Sequence, residues 1–297
     1  MKVLITGANG FLGHYLTGQL LEKGFNVVAS GKGDCRLPYQ ANNLFQYVQM
    51  DFTDQEAVKN IFEKIKPDVV VHSGAISKPD ECEQNKTYAD KVNTEGTRYL
   101  LAAAATVQSF FIFISTDFIF DGREGMYKEE DTGNPVNYYG LTKLRAEALV
   151  KEYSFDWSIV RTVLVYGKPL TGRGNILTVV KEKLEKGEEY SVFNDQVRTP
   201  TFVEDLAAGI VAIIEKRATG IFHLSGKDIL TPYQMACKVA SHLGLSEGLI
   251  RKVTAATFTQ PALRPAKTGF IIDKAKKLLG YDPVSFEEGL KRAFPGS

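Results

Sequence analysis

The chain has 297 residues, 44% of them hydrophobic and 24% charged, with a formal net charge of +1. That is the make-up of an ordinary globular protein, large enough for one α/β domain with a smaller lobe, and it gives no electrostatic case for nucleic acid or a membrane surface as partner. No apolar run approaches the ~20 residues of a membrane helix and no secretory leader opens the chain, while three separated cysteines and four scattered histidines suggest neither a disulfide framework nor a metal site, so a reduced, cytoplasmic setting is expected.

Lys2 to Thr6 reads as a short strand, followed by Gly7-Ala8-Asn9-Gly10-Phe11-Leu12-Gly13 and then by Leu12, Leu16 and Leu20 at helical spacing until Gly24. Strand, glycine turn, helix is the context of a dinucleotide fingerprint. A turn without side chains lets the backbone from Asn9 to Leu12 approach a pyrophosphate, and the helix start presents free N–H groups to its charge. A second strand at Asn26–Ser30 ends without the usual ribose-binding acid and is followed by Lys32 and Arg36. Cations there suit a 2′-phosphate, which favours NADPH over NADH, although NADH stays open because Asp34 offers a displaced acid. A third strand, Gln46–Met50, leads to Asp51 and Phe52, placed to bond and flank an adenine; Asp54 reads as a helix cap. The fourth, Asp68–His72, is an unbroken apolar run suited to a sheet covered on both faces, and Gly74 and Ala75 follow it. His72 reads as a packed strand residue. After a helix through Asp90–Ala105, the fifth strand, Phe110–Ile114, delivers Ser115, Thr116 and Asp117 at its carboxyl end, where open α/β sheets bind ligands. Strands alternating with helices to residue 150 give a Rossmann-type, doubly wound parallel sheet.

Asn137 then opens a helix that places Tyr139 and Lys143 one turn apart on one face. A phenol releases its proton near pH ~10, and a neighbouring ammonium brings that value towards neutrality. The motif by itself is common, and its weight comes from the strands before it. Beyond a sixth strand, Trp157–Val165, the run Gly167–Asn175, with Pro169, Gly172 and Gly174, reads as a loop leaving the sheet. A helix at Ile176–Lys186, a strand at Tyr190–Phe193, a helix at Val203–Lys216 and a strand at Gly220–Ser225 follow. Arg198 is a candidate for a substrate diphosphate, with a surface ion pair as its alternative, and Arg264 is a second candidate. The expected division is a dinucleotide-binding domain over residues 1–166 plus about 201–225, with a smaller mixed α/β substrate lobe over about 167–200 and 226–297.

With these segments together the chain resembles the extended short-chain dehydrogenases/reductases, most of all the dTDP-4-dehydrorhamnose reductase branch. The likeness rests on Thr6–Gly13, Ser115–Gly122, Tyr139–Lys143, Val160–Thr162 with Val165–Gly167, Asp195–Gln196, Pro200–Thr201, Asp205–Ala207 and Arg264–Ala266. The resemblance implies an NADP(H)-preferring reductase of a nucleotide-linked 4-keto-6-deoxy sugar that needs no metal, and it is compatible with a homodimer. Tyr139 would donate the proton, Lys143 hold the nicotinamide ribose, and Thr116 bond the substrate oxygen with Ser115 as the weaker candidate. Gly7, Asn9, Gly10, Phe11, Leu12 and Gly13 would cradle the pyrophosphate, Lys32, Asp51 and Phe52 the adenosine end, and Gly74 and Ala75 the nicotinamide-side ribose. Asp117, Arg198 and Arg264 would face the substrate, and Asn93 fills a helical position that is most often structural. The dehydratase branch carries Thr-Asp-Glu where this chain has Thr116-Asp117-Phe118, so dehydration is disfavoured; no Cys–His pair for epimerising C3 and C5 is apparent. Ile76–Glu83 departs from the rhamnose branch at the substrate edge and is similar to the regulatory subunit of methionine adenosyltransferase. Two alternatives therefore stand beside the reductase: a 4-epimerase, and a non-catalytic, NADP-binding regulatory subunit.

Overall fold

The computed structural model describes residues 1–170, 174–257 and 260–295. Its first half runs β1 (Lys2–Thr6), α1 (Phe11–Glu22), β2 (Asn26–Gly31), β3 (Phe45–Gln49), α2 (Gln55–Ile65), β4 (Val69–His72), α3 (Pro79–Gln84), α4 (Lys86–Asp90), α5 (Gly96–Thr106), β5 (Phe110–Thr116) and α6 (Tyr138–Lys151). The second half runs β6 (Trp157–Thr162), β7 (Val165–Tyr166), α7 (Ile176–Glu185), β8 (Tyr190–Phe193), β9 (Thr201–Phe202), α8 (Val203–Lys216), β10 (Gly220–His223), α9 (Pro232–His242), β11 (Ile250–Val253), α10 (Asp273–Leu279) and α11 (Phe286–Ala293).

Apolar runs with no polar interruption become the inner strands, because a strand covered on both faces needs no polar side. Val69, Val70 and Val71 of β4 are fully buried. Among the described residues seven parallel strands pair in the order β10-β6-β5-β4-β1-β2-β3, with Thr6 opposite both Ser30 and His72 and Thr116 opposite Thr162. The chain leaves β1 for β2 and β3 on one side, then crosses to β4 on the other. That reversal opens a crevice above the carboxyl ends of β1 and β4. One core, with Val3, Ile5, Leu16, Leu20, Ile210 and Ile213, lies under α1 and α8; another, with Leu4, Val28, Phe62, Val70, Leu100 and Phe111, lies on the opposite face.

Local signals set the helix starts. The Asp54 carboxylate accepts the N–H groups of Glu56 and Ala57 at 3.0 and 3.1 Å, so this residue caps α2. Asn137 Oδ1 accepts the Gly140 N–H at 2.9 Å and starts α6, whose buried face repeats as Tyr139, Thr142, Lys143, Ala146, Glu147 and Val150. The helix expected at 90–105 is interrupted by a π turn at Lys91–Glu95 between α4 and α5. Asn93 sits in it, accepting the Ile76 N–H at 2.9 Å and donating to Ile76 O and Thr142 Oγ1 at 3.1 and 3.0 Å.

The structure differs from expectation in two further places. The sixth strand breaks at Val163–Leu164, where Leu164 takes φ +32°, and Val165–Tyr166 pairs instead with Thr201–Phe202. The break follows from Thr201, whose N–H and hydroxyl both bind Val163 O, at 3.2 and 2.6 Å, drawing the chain off the main sheet. Phe270, Ile272, Ala275, Leu279 and Tyr281, expected in the lobe, pack into the core beneath α8. The lobe has its own core of Leu177, Val180, Val192, Met235, Val239 and Phe286. Gly172 of the expected loop lies outside the described residues. Among the described residues no helix is long and apolar enough to cross a membrane, and no three His, Cys, Asp or Glu side chains gather as metal ligands.

Candidate active site

Gly7 ends β1 with φ +70°, and a Cβ there would come 2.8 Å from the Gly74 N and Cα atoms. Only glycine lets the turns after β1 and β4 meet this closely. At Gly13 a Cβ would fall 2.5 Å from Ala8 Cα, so its absence seats α1 against the turn. Gly10, at the α1 N-cap, offers the first-turn N–H groups no side-chain acceptor. Above this turn a cavity of about 1070 Å³ runs from Lys32 and Asp51 past Gly74 and Ala75 to Thr116, Tyr139 and Lys143. A glycine turn, a helix start and a long crevice fit an extended molecule with a central diphosphate.

At the β2 end, the Lys32 ammonium lies 2.8 Å from the Asp51 carboxylate and is mostly exposed. Solvent screens such an exposed pair, so Lys32 is easily drawn to a stronger anion. Asp51 also accepts the Thr53 N–H and hydroxyl at 3.0 and 2.8 Å. Phe52 packs over the bare Cα of Gly74 and edge-on to the His72 ring at 5.1 Å. His72 is buried between the hydroxyls of Thr6, 2.7 Å away, and Thr97, 3.1 Å away, and burial holds its pKa well below the usual histidine range. The Asn9 side-chain amide is bonded to Asp34 O, Tyr47 Oη and the Arg36 N–H, which leaves its backbone, the part expected to face a pyrophosphate, as the group on offer there.

At the other end, Thr116, Tyr139 and Lys143 line one wall with Asp117 and Phe118. Burial raises the Tyr139 phenol above its ordinary value, while a hydrogen bond from Thr116 pulls the other way and Asp117 adds to the rise. Burial likewise pulls Lys143 down to about 7, opposed by the charge of Glu147. Its ammonium lies 3.8 Å above the Phe113 ring. Both side chains are dehydrated, and each disfavours its own charged form.

Beneath this wall lies a buried ion pair. Arg161 donates to both Glu147 oxygens, at 3.0 and 2.8 Å, and Ser115 Oγ donates to Glu147 Oε1 at 2.6 Å. Ser115 is thus turned towards Glu147. The Asp117 carboxylate is buried, which raises its pKa despite Arg198 and the hydroxyls of Thr268 and Thr116, both of which donate to it.

The two expected phosphate-binding arginines have other partners. Arg198 is buried, donates to Val197 O, Ala266 O, Gln196 Oε1 and Pro265 O, and brings Nε to 4.0 Å from Asp117. Arg264 makes a two-point bond to Asp80 at 2.8 and 2.7 Å. Both read as phosphate candidates in the sequence because partners that engage them, Pro265 and Ala266 for Arg198 and Asp80 for Arg264, come from segments distant in the chain. Glu147 was overlooked, although its signal was present: a charged residue four positions after Lys143 on the buried face of one helix. Tyr47 had no such signal.

The family model described as RmlD substrate binding domain matches residues 1–295. Methionine adenosyltransferase 2 subunit beta of Bos taurus is 32% identical over 259 residues, covering 85% of this chain and 75% of that protein. The spore coat polysaccharide biosynthesis protein SpsK of Bacillus subtilis is 31% identical over 291 residues, covering 98% and 95%. Among solved structures, a dTDP-4-dehydrorhamnose reductase from Bacillus anthracis in complex with NADP superimposes with TM-score 0.87 at 29% identity, covering 100% of this chain and 99% of that one.

Proposed function

Since the chain belongs to the RmlD substrate binding domain family, within the extended short-chain dehydrogenases/reductases, we propose that it reduces a nucleotide-linked 4-keto-6-deoxy sugar with NADPH. The observation that carries this reading is the convergence of Thr116, Tyr139 and Lys143 on one wall of a crevice that begins at the glycine turn.

A bound reduced nicotinamide supplies the hydride. Gly7, Gly10 and Gly13 with the backbone from Asn9 to Leu12 hold the diphosphate, Asp51 and Phe52 meet the adenine, and Gly74 and Ala75 border the second ribose. Lys32 recognises the 2′-phosphate. Tyr139, kept protonated by burial, gives its Oη proton to the oxygen that gains charge as the ketone is reduced. Thr116 bonds that same oxygen, and Lys143 holds the ribose and, in its protonated form, offsets the charge. Phe118 puts an aromatic ring where a second carboxylate would serve water loss. Kinship with the B. anthracis enzyme and its bound NADP supports both substrate class and cofactor.

The test is a turnover screen of dTDP-, UDP- and GDP-linked 4-keto sugars with NADPH and NADH. One equivalent of NADPH consumed per sugar supports reduction; conversion without net consumption means epimerisation. A second reading, a cofactor-holding regulatory subunit, is favoured by the 32% identity to methionine adenosyltransferase 2 subunit beta. It predicts tight NADP binding, no turnover with any keto sugar, and co-purification with a larger enzyme.

A further inference from the structure

The turn after β2 carries two cations, Lys32 and Arg36, and its backbone polar groups are tied down in an unusual number. Gln49 Nε2 donates to Lys32 O at 2.9 Å. The Tyr47 hydroxyl donates to Gly33 O at 2.5 Å, and Asn9 Nδ2 donates to Asp34 O at 2.9 Å. Asn9 Oδ1 accepts the Arg36 N–H at 2.9 Å. The two tethers also bind each other, Asn9 Nδ2 donating to Tyr47 Oη at 2.9 Å. Tyr47 and Gln49 stand on the same face of β3, two positions apart, while Asn9 belongs to the glycine turn. Two separate pieces of chain thus fix one turn, and that turn lines the cavity.

We propose that Tyr47 and Asn9 are specificity-setting positioning residues, a clamp that presets the turn from Lys32 to Arg36 for the 2′-phosphate of NADPH. The inference rests on the cofactor reading given under Proposed function. A turn already ordered loses little freedom when an anion docks, so its cations bind the phosphate at full strength. NADH has no phosphate at this position and gains nothing from a preset turn. The clamp therefore acts on the difference between the two cofactors. Gly31 belongs to the same device: a Cβ there would sit 2.8 Å from Tyr47 Oη and 3.1 Å from Asn9 Nδ2.

The experiment measures Kd for NADPH and NADH by cofactor fluorescence in the full chain, for wild type, Tyr47→Phe, Gly31→Ala and Lys32→Glu. Tyr47→Phe removes one hydroxyl and keeps the ring. It should weaken NADPH about 5- to 10-fold, the usual range for one hydrogen bond, and move NADH less than about 2-fold. Gly31→Ala should reproduce that shift by pushing the tethers apart. An unchanged NADPH/NADH ratio in both variants, or an equal loss of both cofactors, overturns the clamp. If wild type shows no preference for NADPH, the cofactor reading fails and takes the clamp with it. If wild type prefers NADPH and Lys32→Glu abolishes that preference while Tyr47→Phe does not, the clamp alone is wrong.

Discussion

Lys143 buries an amine whose pKa burial pulls from 10.5 to about 7, and replacing it with methionine tests that directly. The folded chain binds fewer protons than the unfolded chain between about pH 7 and 10.5, so stability must rise with pH across that window. Below it both states are protonated and the full dehydration penalty is present, at most about 5 kcal/mol at about 1.4 kcal/mol per pH unit. Between pH 7 and 9 the linkage predicts a gain of about 2 kcal/mol in unfolding free energy. Burial raises the Cys82 thiol from 9.0 to about 11, which makes stability fall above pH 9, and burial raises Tyr139 so that it opposes the trend at still higher pH. His72 and His223, both lowered by burial, act below about 6.5. Urea unfolding of ligand-free protein at pH 7, 8 and 9 measures the slope. Lys143→Met should be more stable than wild type at pH 7 and nearly flat to pH 9, since methionine keeps the length and drops the charge. A variant that keeps the same 2 kcal/mol rise would refute the assignment of the linkage to this amine.

Three further outcomes follow from the site. Tyr139→Phe should cut turnover by roughly 10²–10⁴ while leaving NADPH affinity within about 2-fold, measured by steady-state kinetics beside fluorescence titration; unchanged turnover removes Tyr139 from proton transfer. Glu147→Gln leaves the Arg161 guanidinium buried without its carboxylate and should cost about 3–5 kcal/mol in urea, with part recovered in Glu147→Gln/Arg161→Met. A loss under about 1 kcal/mol would mean that the pair is not buried as described. Asn93→Ala strands the Ile76 N–H and should cost about 1–3 kcal/mol, read as a lowered melting temperature; a melting temperature equal to wild type would show that Asn93 does not brace the Ile76 loop.

Much of the first half was readable because its signals are local. Lys2–Gly13 carries strand, glycine turn and helix start in twelve residues, and the caps Asp54 and Asn137 bond groups two or three positions on. The features that were not readable depend on chain segments far apart. Leu164 leaves the sheet because Thr201 binds Val163, and nothing in Trp157–Val165 announces it. Arg198 resembles a surface cation until residues 265 and 266 arrive to accept its protons. The protonation of Lys143 depends on burial by several elements and on the charge of Glu147, none of which a Tyr-x-x-x-Lys spacing contains.

Asp117 is joined to Thr268 across 151 positions of sequence, with Arg198 beside the same carboxylate. Randomising Arg198 or Thr268 would therefore strip the support from the carboxylate adjoining Thr116. Combinatorial diversity belongs instead at a cavity-facing position outside that joint, such as Ser77. The same bond predicts that harmful changes at Asp117 find their suppressors near residue 268 rather than among their sequence neighbours.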